Sequence, residues 1–103
     1  MPVFSRIKVT VEPEIYELVP VFMESLSSEL AIMANCAEDR DYELMREMLH
    51  SSKGAALTFG FTVYAAELEV LHQHTLDRAE DEIRIVLIKL RKLLDNCVFI
   101  PAS

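Results

Sequence analysis

From residue 13 onward, apolar side chains recur every three or four positions in four blocks separated by short polar or glycine-marked turns. The first block holds Ile15, Leu18, Val19, Phe22, Leu26, Leu30 and Met33, and the second Met45, Met48, Leu49, Ser52, Ala55, Ala56 and Phe59. The third holds Phe61, Tyr64, Ala65, Leu68, Leu71, His72 and Thr75, and the fourth Ile83, Val86, Leu87, Leu90, Leu93, Leu94 and Cys97. At about 100° per residue each set falls on one side of an α-helix, so four amphipathic helices are predicted. Pro13 suits the first turn of the first helix, where its missing N–H costs nothing. Pro20 falls on that helix's wet side and predicts a bend there. The turns are expected at Asn35 to Arg40, at Gly60 and at Thr75 to Asp77. Glu38, Asp39 and Asp41, and later Glu80, Asp81 and Glu82, complement the positive ends of the helices that follow.

Ahead of these blocks, Phe4, Ile7, Val9 and Val11 alternate weakly with Arg6 and Lys8, which reads as an extended arm. The repeated helical periodicity leaves little room for a sheet. The expected architecture is therefore all-α: an N-terminal arm over 1–12, an antiparallel up-down-up-down four-helix bundle over 13–97, and a short tail over 98–103. In that bundle Cys36 and Cys97 end the first and fourth helices at opposite ends, too far apart for a disulfide. Two free thiols in a reducing compartment follow.

At 103 residues the chain can bury one core, and 51% apolar residues argue against disorder. The net charge of −7 and a pI near 4.8 argue against nucleic acid or an anionic membrane as partner, leaving protein. The longest uncharged run, Gly54 to Ala66, is too short to span a bilayer, and no apolar signal-peptide core opens the chain. A cytoplasmic address is expected. The starting methionine and the lack of linker composition favour a free-standing protein over a piece of a larger one. His72 and His74 are two apart on a helix and point to different faces, so no metal site is expected. No glycine loop suited to phosphates is present, so ATP binding is not expected either.

The distinctive chemistry lies between Leu49 and Gly60, reading L-H-S-S-K-G-A-A-L-T-F-G. On the helical count His50 points roughly 160° away from the apolar stripe of its own helix, into solvent. Arg46 lies one turn before it, with Lys53 and Gly54 one turn after, all on the same surface. A glycine in mid-helix costs roughly 1 kcal/mol relative to alanine, and close approach by another molecule is the natural reason for it. Leu57, two turns beyond His50 on this outer face, is a large apolar residue with no inward role.

The run His50, Lys53, Gly54, Ala55, Ala56 and Gly60 resembles the signature of histidine phosphotransfer (HPt) domains. Their usual pattern is H-x-x-K-G-[small]-[small], with a second glycine ten residues after the histidine. The resemblance extends over four helical segments from about Glu12 to Asn96. It implies that His50 accepts a phosphoryl group from a receiver-domain aspartyl phosphate and passes it to another receiver. Such a chain is a phosphocarrier and not an enzyme, monomeric, with receiver domains of response regulators or hybrid histidine kinases as partners. It binds no cofactor; the Mg²⁺ used in transfer would sit in the receiver. Lys53, assisted by Arg46, would offset phosphoryl charge, and Gly54 and Leu57 would meet the receiver. The family often has glutamine or glutamate 22 residues after the histidine, where this chain has His72. Antiparallel packing is expected to bring His72 beside His50, to bond to it or to its phosphoryl group. One departure is Ser52, where the family commonly has a large aliphatic; its hydroxyl is expected to bond a carbonyl one turn back, with Met48 or Phe59 filling the space. The rival reading is a non-catalytic helical interaction or dimerisation module with an incidental histidine, using Val63, Val70 and the Val98 to Ile100 tail.

Overall fold

The computed structural model describes residues 6–103, so Phe4 of the expected arm lies outside the described residues. Four α-helices form the expected bundle: α1 (Val19–Asp39), α2 (Tyr42–Thr58), α3 (Thr62–Leu76) and α4 (Glu80–Asn96). Each packs on its neighbours in chain order, and α4 closes back on α1. The inward stripes meet in one core, in which Leu26, Met33, Met45, Leu68, Leu71, Ile83 and Leu90 are all but inaccessible. Asp41 caps α2 through its carboxylate, which accepts from the Leu44 N–H at 3.2 Å. The turn before it is made by Arg40 in a left-handed conformation, φ 56°.

The start of the first block departs from expectation. Pro13–Leu18 is a 3₁₀ segment, and the α-helix begins only at Val19. Pro20 therefore sits in a first turn, where its absent N–H has no partner to lose, and causes no mid-helix bend. Leu18, expected to face inward, is 48% exposed, because the tighter winding of the 3₁₀ segment rotates it off the α-helical stripe. At the other end α1 continues through the expected turn to Asp39, burying Cys36 on the way.

Little room was expected for a sheet, yet a small one forms. The arm and the tail are two strands, β1 (Ile7–Val11) and β2 (Cys97–Pro101), paired in parallel with Val9 opposite Phe99. A parallel pair needs a crossover, and here the whole bundle supplies it. In an up-and-down bundle, α1 leaves the sheet end and α4 returns to it. A strand running straight into α1 would then lie antiparallel to one leaving α4. The 3₁₀ segment turns the chain between β1 and α1 and so allows the parallel pairing.

The sheet seals its end of the bundle. Val9, Val11 and Phe99 are buried, and Phe99 packs edge-on to Phe22 at 5.6 Å and to Phe61 at 5.5 Å. Phe22 in turn stacks on Phe59 at 4.0 Å. Phe99 of the tail is thus core, and the dimerising surface imagined for Val98 to Ile100 is in part consumed internally: Val98 is half-buried, with Ile100 the exposed member. Both cysteines are free. Cys97 Sγ lies 4.0 Å from Met23 Sδ, near the start of α1. Cys36 is 13 residues further along that helix, about 20 Å away. Burial pushes both thiols up, reinforced at Cys36 by Asp41 and Asp39.

Candidate functional site

The geometry of the site follows from the register of the α2–α3 hairpin. Phe59 to Phe61 makes the turn, and Gly60 adopts φ +75° within it. A side chain there would also place its Cβ 2.7 Å from the Thr10 carbonyl oxygen of β1, so Gly60 is required both by backbone conformation and by a close neighbour. With the turn fixed, the helices run back along each other and Lys53 comes opposite Glu69. Its Nζ donates to Glu69 Oε2 at 2.6 Å. The same register sets His50, one turn earlier on α2, opposite His72, one turn later on α3.

Between the two helices lies an open cleft of about 590 Å³. Arg46, Glu47, His50 and Lys53 from α2 and Glu69 and His72 from α3 form its rim, with buried Leu49 and Leu68 beneath. His50 is exposed, as the helical count predicts, and His72 is half-buried. The structure thus brings Arg46, His50, Lys53 and His72 together. His50 and His72 line the same cleft and make no direct hydrogen bond to each other among the described residues. Lys53 is bonded to a carboxylate and is not a free cation.

Gly54 and Leu57 lie further along the same helix. A Cβ added at Gly54 would meet nothing within 4 Å, so nothing among the described residues calls for a glycine there. The Thr58 hydroxyl donates to the Gly54 carbonyl at 3.0 Å, within a helix that runs unbroken past Leu57. Leu57 is 54% exposed.

Two carboxylates bonded to residues around His50 escaped sequence reasoning. Glu69 reads as one of many solvated acidic residues, yet it faces the cleft; the Lys53 hydrogen bond and charge hold its carboxyl below the ordinary glutamate range. The hairpin register that pairs His50 with His72 was the signal for it. Glu29 of α1 is the second. Its Oε1 accepts from the Ser52 hydroxyl at 2.8 Å and its Oε2 from the Ser51 hydroxyl at 2.6 Å. Ser52, completely buried, therefore bonds across to α1 and not to a carbonyl of its own helix, which corrects the expectation. One carboxylate satisfying two hydroxyls fixes the α2 backbone just after His50, since charge-assisted bonds are the stronger kind. Of the remaining polar atoms, the Tyr64 hydroxyl and Glu67 Oε2 are buried without a partner among the described residues. Burial drives the Tyr64 phenol well above its ordinary pKa, so it stays protonated.

Among the described residues no three His, Cys, Asp or Glu side chains are grouped to hold a metal ion, and no helix is long and apolar enough to cross a membrane. Comparison of the chain with protein-family models, with curated proteins and with solved structures gives no match.

Proposed function

We propose that this chain is a histidine phosphocarrier of the HPt kind, in which His50 takes a phosphoryl group from the aspartyl phosphate of one receiver domain and yields it to another. The observation that carries the reading is an exposed imidazole at mid-helix on a four-helix bundle, flanked by Arg46 and Lys53 and followed by a glycine that nothing among the described residues calls for. The H-x-x-K-G motif resemblance points the same way.

In the reaction, the unprotonated ring nitrogen of His50 attacks phosphorus. A nitrogen–phosphorus bond forms as the phosphorus–oxygen bond to the aspartate breaks, and the carboxylate leaves with the electron pair. The other ring nitrogen keeps its proton, so charge is conserved and no separate base is needed. Arg46 and Lys53 offset the charge on the phosphoryl oxygens. The receiver, carrying its own Mg²⁺, approaches over Gly54 and against Leu57. His72, across the cleft, is within the region that a phosphoryl group on His50 would enter. The receivers belong to response regulators or hybrid kinases, and a cytoplasmic setting fits the free thiols.

The test is incubation with phosphorylated receiver domains. Label on this chain that is acid-labile, alkali-stable and lost in His50→Gln is the expected result. Label that persists in His50→Gln, or no label from any receiver, would overturn the proposal.

A further inference from the structure

Of the two cations beside His50, Lys53 is already paired. Lys53 Nζ sits 2.6 Å from Glu69 Oε2, and both side chains are about half exposed, so the pair is the weak, solvent-screened kind that can open readily. Lys53 stands one turn from His50 on α2, and its flexible four-carbon stem lets the ammonium reach either Glu69 or a group on His50. Glu69 lines the same cleft as His50 and lies one turn from His72 on α3. A phosphoryl group arriving on His50 therefore meets a carboxylate as well as a lysine bonded to that carboxylate.

We infer that Glu69 is a positioning residue that acts through Lys53. It holds the ammonium in the unphosphorylated chain, releases it to the phosphoryl oxygens once His50 is modified, and so limits how strongly His50 retains the group. This rests on the phosphocarrier reading. Its consequence is a carrier poised to give its phosphoryl group away, because Lys53 must leave one anion to stabilise another.

Phosphoramidate is a phosphoryl donor that needs no receiver; its nitrogen–phosphorus bond breaks, ammonia leaves, and the new bond forms at His50. Wild type, Glu69→Gln, Lys53→Met and the double variant are compared for the rate of label at His50, located by mass spectrometry, with helical circular dichroism as the folding control. Glutamine keeps an oxygen acceptor but loses the charge, so Glu69→Gln is expected to gain label about two- to fivefold faster, the scale set by an exposed ion pair. Lys53→Met is expected to be slower than wild type, and Glu69→Gln to accelerate labelling less in the Lys53→Met background than in wild type. Equal acceleration in both backgrounds would mean that Glu69 acts directly and not through Lys53, overturning the inference. Equal rates in wild type and Glu69→Gln, on a chain that does take label, would overturn it while leaving the carrier reading standing. A chain that takes no phosphoryl group at His50 from phosphoramidate or from any phosphorylated receiver brings down the carrier reading and this inference together.

Discussion

The sheet end of the bundle and the outer face of α2 contrast in how far the chain accounts for its own residues. At the sheet end each special residue has an internal reason. Gly60 accommodates a left-handed turn and the Thr10 carbonyl, while Phe99 fills the space between Phe22 and Phe61. Around His50 the special residues lack such reasons: a Cβ at Gly54 would meet nothing among the described residues, and Leu57 leaves more than half its surface in water. Residues that weaken a fold without serving its packing mark where another molecule is expected to meet it. The two glycines of one motif thus have different physical roles, and the contrast can be broken by substitution.

The largest effect is expected at the closed end. Phe99→Ala removes a ring from the aromatic cluster and should cost about 3 kcal/mol, measured by urea denaturation. It should also loosen β1, seen as faster amide exchange at Val9 and Val11. A loss below about 1 kcal/mol would mean that the sheet is an ornament on a self-sufficient bundle.

Next come the paired glycines. Gly60→Ala should destabilise by about 2 kcal/mol, from the positive φ and the clash with a backbone oxygen. Gly54→Ala should stabilise by roughly 0.5–1 kcal/mol, since it places a better helix former where there is open space. If the carrier reading holds, that more stable variant should nonetheless accept phosphoryl groups from receivers more slowly. Thermal melts of the two variants that move in the same direction would erase the distinction.

Leu57→Glu sharpens the open side further. With its side chain more than half exposed, the change should leave the helical signal and stability within about 0.5 kcal/mol of wild type. Receiver binding, read by titration calorimetry, should weaken about tenfold. Unchanged affinity would return Leu57 to the ordinary exposed leucines.

The smallest expected effect is on acid stability. Lys53 lowers the folded-state pKa of Glu69, so the pair's contribution is complete above the ordinary glutamate range and is lost as pH falls through the depressed folded value. Removing the partner in Lys53→Met should slightly lower stability at neutral pH, with the difference from wild type vanishing in acid below that value. A difference that grows on acidification would contradict the ion pair.

Four helices, their inward faces and the outward direction of His50 were legible in the sequence, because α-helical geometry is local: 3.6 residues per turn fix which side chains share a face without reference to the rest of the chain. The alternation from Ile7 to Val11 was legible as extended chain for the same reason. Its partner was not, since pairing a strand with one 90 residues later depends on where the bundle brings its ends, and a tail as short as Val98 to Pro101 carries too little pattern to announce a strand. The side-chain pairs across helices, Glu29 with Ser51 and Ser52 and Glu69 with Lys53, likewise depend on how two helices are set against each other. A shift of one residue along either helix would swing the carboxylate by about 100° and part them. The sequence by itself determined what each helix hides and what it presents; the tertiary structure decided which presented groups meet, because those contacts are fixed by packing between segments and not by winding within one.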